Sequence, residues 1–273
     1  MAIHRVDDPD DPRLVELTGL TDAAARASME AEHGCFVVEG LLALDAALRS
    51  AYPVRSVLVA EPKLPRVLAL LGDAPVATDG IDVHVGSQAL LEQVTGFAIH
   101  RGVVASAGRL PLPSPAEVVR GARRVLVAEA VNDHENLGAL FRNAAAFGVD
   151  AVLLDPRCAD PLYRRSVRVS LGHVLRVPWA RTGPLAEAVA GLHDAGLVVL
   201  ALTPAGERTV HEVAASRRDQ RLAWLVGAEG PGLDRATMDA ADERVRIPIA
   251  AGVDSLNVAT AAAVALAVTA PLR

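Results

Sequence analysis

The feature that most constrains the fold is the alternation of short apolar runs with helical segments in residues 117–273. The runs 151–154, 197–202 and 222–226 are continuous, without the polar residue at every second position that marks a half-exposed strand. Strands of this kind, separated by helices, indicate a parallel sheet covered on both faces. The predicted strands are 125–130, 151–154, 175–177, 197–202, 222–226 and 244–247, and the predicted helices are 137–147, 161–169, 185–192 and 256–268. Such sheets bind ligands at the carboxyl ends of their strands.

The first half of the chain, residues 1–106, predicts a smaller α/β domain. Its predicted strands are 35–38, 54–59, 81–85 and 102–105, and its predicted helices are 41–48, 64–71 and 87–94. Residues 107–116 contain three prolines and one glycine, which predicts an extended linker. The net charge is −7 over 1–106 and +1 over the rest of the chain. We therefore expect two domains, 1–106 and 117–273, joined by the linker.

The composition excludes several classes of protein. No apolar run reaches the ~18 uncharged residues of a membrane span, and no apolar leader follows the opening residues His4, Arg5 and Asp7. The two cysteines are too few for a disulfide framework or a four-cysteine zinc site. Lys63 is the only lysine, which argues against Schiff-base and P-loop chemistry. We expect a cytoplasmic protein without a membrane partner or a metal.

Several common catalytic motifs are absent from the sequence, namely Gly-x-Gly-x-x-Gly, the Walker P-loop, Gly-x-Ser-x-Gly and His-Glu-x-x-His. Three polar, glycine-bearing segments instead follow predicted strands. The first, 132–138, leads into a helix that carries Arg142, the second is 227–233, and the third, 247–257, opens the last helix. Taken singly, each has an ordinary explanation: Asn136 as a helix cap, Arg142 as a solvated side chain, and Asp254 or Ser255 as a cap of the last helix.

Together the three segments resemble a known family. NDHENLGALFRNAAAFGVDAVLL, LVGAEGPGL and IPIAAGVDSLNVATAAAVAL are similar, in this order, to the three signatures of the SpoU (TrmH-type) RNA 2′-O-ribose methyltransferases. The intervening CADPLYRRSVRVSLGHVLRVPW resembles the middle region of that family. FVVEG and TGFAIHRGVVA resemble the substrate-binding domain that many members carry, so the resemblance covers nearly the whole chain.

The resemblance implies a C-terminal α/β-knot domain, in which a parallel sheet is threaded into a trefoil, behind a small α/β substrate-binding domain. It also implies a homodimer and S-adenosylmethionine as the cofactor. Glycines in the second signature would let the backbone approach a bent cofactor closely. The residues that the resemblance assigns to the cofactor are Leu202, Thr203, Gly227, Ala228, Gly230, Ile247, Ile249, Ser255 and Leu256.

The resemblance also implies the catalytic residues. Arg142 matches the arginine that activates the ribose hydroxyl, either by taking its proton or by stabilising the developing oxyanion. Asn136 would position the ribose or Arg142, and Glu229 would order the site with one of these two as its partner. Ser255 and Asn257 would lie beside the target ribose and the cofactor.

Two positions depart from the signatures of the family. His134 stands where a proline is frequent, which alters the rigidity of the loop or its substrate contacts without removing a catalytic group. Ala259 stands where a serine is frequent, which removes any contribution of that hydroxyl to the geometry.

RNA binding has to depend on local groups of arginines, because the net charge of −6 provides no general positive field. The candidates are Arg101, Arg123, Arg124, Arg164, Arg165 and Arg168. We expect ribosomal RNA rather than transfer RNA as the substrate. The target nucleotide, and a housekeeping or antibiotic-resistance role, stay open.

Two other functions stay open at this point. The first is an RNA-binding relative that has kept the fold without catalysis, which the presence of Arg142, Glu229, Ser255 and Asn257 disfavours. The second is a Rossmann-type oxidoreductase, which the absence of the glycine fingerprint after the first strand of the second half disfavours.

Overall fold

A computed structural model describes residues 2–99 and 102–270. The chain divides into two compact units. The first comprises the residues up to Pro111 together with Leu162–Arg176, and the second comprises Leu112–Pro161 and the residues from Val177 onward. The sequence predicted one boundary within 107–116 and assigned 162–176 to the second domain, so the structure differs on that segment.

Contacts of the 162–176 segment explain this difference. Arg164 and Arg168 both donate hydrogen bonds of 3.2 Å to the carboxylate of Glu39. The Arg164 guanidinium also stacks 4.1 Å from the centre of the Phe97 ring. Gly172 lies so close to the Ala46 methyl group that an added Cβ would be 2.3 Å away. These contacts place the segment in the first unit. They join residues far apart in the sequence, which hydrophobic periodicity does not reveal.

The first unit contains a five-stranded mixed sheet in the order β1-β4-β3-β5-β2. Its strands are β1 (Ala2–Arg5), β2 (Cys35–Glu39), β3 (Val54–Ala60), β4 (Asp82–Gly86) and β5 (Val103–Gly108). Its helices are α1 (Ala23–His33), α2 (Leu41–Leu48), α3 (Leu64–Gly72), α4 (Gln88–Thr95) and α7 (Arg164–Val169). Strand β1 and helix α1 were not predicted, and α1 is an alanine-rich helix that is mostly exposed.

The predicted linker, 107–116, contains regular structure at both ends. Strand β5 continues to Gly108, which pairs with Cys35 of β2. Helix α5 (Pro115–Val119) begins inside the segment, with Ser114 as its N-cap and Glu117 completing a capping box. The prediction of an extended conformation was wrong for the end of this segment, because proline is tolerated at the first position of a helix, where its missing N–H is not needed.

The second unit contains a fully parallel seven-stranded sheet in the order β10-β12-β9-β11-β6-β7-β8. Its strands are β6 (Arg124–Glu129), β7 (Ala151–Leu154), β8 (Trp179–Arg181), β9 (Val198–Leu202), β10 (Arg208–Thr209), β11 (Leu222–Gly227) and β12 (Glu243–Arg246). Its helices are α5, α6 (His134–Ala146), α8 (Leu185–Asp194), α9 (Val210–Arg217), α10 (Arg235–Ala240) and α11 (Val258–Thr269). The predicted α/β class with a parallel sheet is confirmed.

Three details of the second unit differ from the sequence prediction. The strand predicted at 175–177 is wrong, because a 3-10 turn covers His173–Leu175 and the strand β8 begins at Trp179. The short elements β10, α9 and α10 were missed. Helix α11 begins at Val258, two residues later than predicted, because the side chain of Asn257 caps it.

The core of the second unit surrounds the central strands β6, β9 and β11. Val127, Val199 and Leu225 are fully buried there. Trp224 of β11 is also buried and donates from Nε1 to the Thr269 hydroxyl, 3.2 Å away, which fixes the end of α11. Because these strands are parallel neighbours, their carboxyl ends meet at one edge of the sheet. Within the described residues, no helix has the length and hydropathy needed to cross a membrane.

Candidate functional site

A pocket of about 760 Å³ lies at the carboxyl ends of β9, β11 and β12. Three segments of the second unit form it: 202–204, 226–232 and 246–258, with Ala261 behind them. All nine residues assigned to the cofactor by resemblance border this pocket: Leu202, Thr203, Gly227, Ala228, Gly230, Ile247, Ile249, Ser255 and Leu256. Its volume is in the range of pockets that hold cofactors.

The lining of the pocket indicates which kind of cofactor fits. The walls are largely aliphatic, with Leu202, Val226 and Leu256 among them. Among the described lining residues the only cation is Arg246, whose Nη1 already donates to the carbonyls of Gly206 and Glu207 at 2.7 and 2.9 Å. A dinucleotide would need cationic or helix-terminal partners for its phosphates. The N-terminus of α11 borders the pocket, but the N–H groups of Ala259 and Thr260 there already donate to the side-chain oxygen of Asn257. The pocket therefore suits a phosphate-free nucleoside such as S-adenosylmethionine better than a nicotinamide dinucleotide.

The loop that follows β11 is folded tightly on itself. The Gly232 N–H donates to the Ala228 carbonyl at 3.0 Å, closing the loop. A Cβ on Gly227 would lie 2.2 Å from the carbonyl carbon of Gly232, which the structure cannot accommodate. Gly230 and Gly232 have positive φ angles of 88° and 72°, which favour glycine. These glycines were expected to allow close approach of the cofactor, and the loop itself also requires them.

One side chain connects all three polar segments. The Nδ2 group of Asn257 donates a hydrogen bond of 2.7 Å to Oδ1 of Asn136 and a second bond to Oε1 of Glu229. The predicted partner of Glu229 was Asn136 or Arg142, but the partner in the structure is Asn257. Asn136 and Glu229 are thus joined through a shared donor at the rim of the pocket.

The caps of the two helices leave these side chains available. Asp133 caps α6 by accepting from the backbone N–H groups of Glu135 and Asn136. Asn257 caps α11 through its Oδ1, which accepts from Ala259 and Thr260 at 3.0 and 3.2 Å. The alternatives in which Asn136 caps α6, or Asp254 or Ser255 caps α11, are therefore wrong.

The structure does not bring every predicted catalytic residue into this network. Arg142 is exposed on α6 and makes no hydrogen bond or ion pair with any residue that the structure describes. Ser255 borders the pocket and is exposed, but it has no hydrogen-bond partner among the described residues.

A charged cluster beside the loop after β11 was missed in the sequence analysis. Glu129 and Asp155, whose side chains are 2% exposed, stand at the ends of β6 and β7, and Arg157 binds both. Burial acts to raise the pKa of Asp155, but hydrogen bonds from the Ala130 N–H and the Arg157 side chain outweigh it and keep that pKa below its ordinary value. The position of Asp155 directly after the apolar strand β7 could have indicated this cluster, because the carboxyl ends of parallel strands lie at one edge of the sheet.

The arginines predicted to bind RNA have varied surroundings. Arg124 is buried and donates to main-chain carbonyls, including that of Thr269 at 3.1 Å, and burial lowers its pKa. Arg164 is buried against Glu39. Both side chains are largely buried and bonded to groups of this chain, which disfavours an RNA contact, and the contact stays a prediction for both residues.

The remaining arginines of that group differ in their accessibility. Arg168 is one-third exposed and paired with Glu39. Arg123 is exposed and donates to the Asp219 carbonyl, and Arg165 is exposed. Arg101 lies outside the described residues.

The sequence predicted no metal site. In the part of the chain that the structure describes, no three His, Cys, Asp or Glu side chains are grouped so that they could hold a metal ion.

Comparisons with known protein families match both units. The model of the SpoU rRNA methylase family matches residues 123–267. The model for RNA 2′-O ribose methyltransferase substrate binding matches residues 37–113. The first match covers more than half of the chain.

Individual relatives agree with the family models. The chain is 46% identical over 266 residues, 97% of its length and 91% of the relative's, to an uncharacterized tRNA/rRNA methyltransferase of Mycobacterium tuberculosis. It is 34% identical over 191 residues, 68% of its length and 77% of the relative's, to the 23S rRNA (guanosine-2′-O-)-methyltransferase RlmB of Bordetella pertussis.

Two solved structures share the fold. An AdoMet-bound rRNA methyltransferase from Sinorhizobium meliloti superposes with a TM-score of 0.80 at 23% identity, over 98% of this chain and 97% of that one. The SpoU methyltransferase AviRb from Streptomyces viridochromogenes, in complex with AdoMet, gives 0.77 at 23% identity, over 95% and 98%.

Proposed function

The chain belongs to the SpoU rRNA methylase family, and we propose that it methylates a nucleotide of ribosomal RNA as a homodimer in the cytoplasm. It is an RNA methyltransferase that uses S-adenosylmethionine and modifies ribose 2′-hydroxyl groups. The observation that carries the proposal for its active site is the pair of hydrogen bonds from Asn257 to Asn136 and Glu229, because they join the three signature segments beside the pocket.

The pocket residues hold and orient the cofactor in this proposal. S-adenosylmethionine supplies a methyl group on a positively charged sulfur. The aliphatic side chains of Leu202, Ile247 and Leu256 would hold its apolar parts, and the backbone of the 227–232 loop would provide polar contacts. The chain has to hold the methyl group in line with the attacking oxygen, since alignment supplies much of the rate.

Glu229 and Asn136 are proposed to hold the ribose. Oε1 of Glu229 is bonded to Asn257, while its other oxygen has no partner among the described residues. That oxygen can accept a hydrogen bond from the ribose. Because Asn257 also caps α11, the position of this acceptor is fixed by the start of a helix rather than by a mobile loop.

Arg142 is proposed to act on the attacking oxygen. A guanidinium has a pKa above ~12, so it is a poor base but a good partner for a developing oxyanion or for the neighbouring phosphate. Its exposure on α6 and its lack of a partner among the described residues leave all its donors available to RNA. We therefore assign it stabilisation of the oxyanion.

Ribosomal RNA is the proposed substrate class. The relative RlmB is named a 23S rRNA (guanosine-2′-O-)-methyltransferase. The M. tuberculosis relative is named a tRNA/rRNA methyltransferase. The test uses methyl-labelled S-adenosylmethionine with separated ribosomal and transfer RNA from cells. We expect label in ribosomal RNA, with the Asn257→Asp variant as the inactive control. Label in transfer RNA alone would overturn the proposed substrate class, and binding of S-adenosylmethionine without any label would favour the non-catalytic alternative.

The homodimer is proposed because dimers are usual in the family to which the chain belongs. Light scattering on the purified protein tests it directly. The account predicts twice the 28.5 kDa mass of one chain. A particle of single mass at micromolar concentration would contradict it.

A further inference from the structure

Four charged side chains form a cluster beside the loop after β11, and we refer to Glu129, Asp155, Arg157 and Asp234 as the Arg157 clamp. Arg157 lies at its centre. Its Nε donates to Asp155 Oδ2 at 2.9 Å, and its Nη2 donates to Asp234 Oδ2 at 2.8 Å. The same Nη2 lies 3.3 Å from Oε1 of Glu129. One guanidinium thus contacts three carboxylates.

The clamp joins the ends of three strands. Glu129 is the last residue of β6, Asp155 directly follows β7, and Asp234 ends the 228–234 loop that follows β11. Glu129 reinforces the connection by accepting from the Asp234 N–H at 2.8 Å and from the Thr237 hydroxyl at 2.6 Å. The far end of this loop is therefore tied to two neighbouring strands.

The clamp also determines the backbone before the first polar segment. Ala130 has a φ of +54°, a left-handed conformation that is uncommon for a residue with a side chain. Asp155 Oδ1 accepts from the Ala130 N–H at 2.9 Å and from the Arg157 N–H at 3.0 Å. Asp155 therefore holds both the strained turn that leads toward Asn136 and the backbone of the arginine.

We propose that Arg157 is a positioning residue that sets the 228–234 loop, and with it Glu229 and one wall of the cofactor pocket. This inference rests on the proposed function of the pocket. Arg157 borders neither the pocket nor the Asn257 network, so it acts through Asp234 and Asp155. Arginine is required because its planar guanidinium reaches several carboxylates at once, which a lysine ammonium does not.

We expect a variant that lacks the Arg157 side chain to fold, because two of the three carboxylates keep other hydrogen-bond donors. Glu129 keeps two donors, the Asp234 N–H and the Thr237 hydroxyl, and Asp155 keeps the Ala130 N–H. Asp234 loses its only side-chain partner among the described residues, and its side chain makes no cap bond to α10. The change in order is therefore expected in the loop rather than throughout the unit.

Hydrogen exchange of the cofactor-free protein is the first test. In Arg157→Ala, amides of the 228–234 loop should exchange at least about tenfold faster, while amides of β6 and β11 stay protected. Arg157→Lys should restore the protection only in part. The matched control is Arg208→Ala, which removes an arginine paired with Glu243 away from the pocket. Unchanged exchange in the loop, or an equal increase throughout the second unit, would overturn the proposal.

Cofactor titration provides the second test. Arg157→Ala and Asp234→Ala should each weaken S-adenosylmethionine binding roughly tenfold. The double variant should bind no more weakly than the worse single variant, because both substitutions remove the same bond between Arg157 and Asp234. Additive losses would contradict the coupling. Neither test uses RNA, so both stand even if the proposed substrate or the methylation itself fails.

Discussion

The side-chain amide of Asn257 donates a hydrogen bond of 2.7 Å to the side-chain oxygen of Asn136, 121 positions earlier in the chain. The same amide group binds Glu229, and the oxygen of Asn257 caps α11. One asparagine therefore uses its donor to assemble the site and its acceptor to begin a helix. This division allows its two roles to be separated by substitution.

Replacing Asn257 with Asp should abolish activity while preserving the fold. Aspartate caps helices as well as asparagine does, but it offers no donor to Asn136 and adds a negative charge beside Glu229. We expect methylation to fall by at least ~100-fold, with the free energy of unfolding within ~0.5 kcal/mol of wild type. Methylation kinetics and urea unfolding measure the two effects.

The matched variant is Asn257→Ala, which removes the cap as well as the donor. It should lose the same activity and also about 1 kcal/mol of stability. Equal stability of the two variants would show that the cap contributes nothing.

Replacing Gly227 with Ala should damage cofactor binding through the loop. The new methyl group would lie 2.2 Å from the carbonyl carbon of Gly232, so the loop has to open. We expect S-adenosylmethionine affinity to fall by more than ~10-fold, measured by calorimetry. The control is Gly191→Ala, at a helical position with no atom within 4 Å of the added Cβ, which should stabilise by ~0.5–1 kcal/mol. Wild-type affinity in Gly227→Ala would exclude the loop from the cofactor site.

The stability contributed by Asp155 should depend on pH. Since folding lowers the pKa of Asp155, its contribution is fully present above the unfolded-state pKa of about 3.8 and is lost as the pH falls through the lower folded-state pKa. Asp155→Asn should be less stable than wild type by on the order of 2 kcal/mol at pH 7. Urea unfolding of both proteins from pH 7 to pH 3 should show this gap narrowing only below pH ~4. A gap that stays constant over the whole range would contradict the assignment.

Arg142→Ala should abolish methylation without affecting the cofactor. Arg142 does not border the pocket, so the affinity for S-adenosylmethionine should stay within about twofold of wild type. The rate of methylation should fall by about 10³-fold if the guanidinium stabilises the oxyanion. Arg142→Lys, which keeps the charge but not the bidentate geometry, should be intermediate. Wild-type turnover in Arg142→Ala would remove this residue from the mechanism.

The parallel sheet of the second unit could be predicted because continuous apolar runs such as those of β6 and β11 carry enough information by themselves. Very short elements and exposed, alanine-rich helices could not be predicted in this way. Strand β10 has two residues, and α1 is mostly exposed and rich in alanine, which marks no apolar face, so neither gives a clear periodic signal. The strand predicted at 175–177 was wrong because two apolar residues on either side of Arg176 do not distinguish a strand from a buried turn.

The site followed from resemblance rather than from periodicity. Its pocket residues come together because parallel strands end at one edge, but the bond between Asn257 and Asn136 depends on the exact path of two loops. The burial of two arginines could not be predicted from the sequence either. Arg124 and Arg164 look like surface cations in sequence, yet buried carbonyls and Glu39 surround them, and such partners are far away in the chain.

The chemical position of the transferred methyl group tests the central claim most directly. Purified protein is incubated with methyl-labelled S-adenosylmethionine and ribosomal RNA, and the RNA is then hydrolysed in alkali. Methylation of a 2′-hydroxyl removes the group that alkali uses to cut the chain. The account predicts that the label survives in alkali-resistant dinucleotides and is absent with Arg142→Ala. Label recovered in mononucleotides would mean base methylation and would contradict the proposed mechanism.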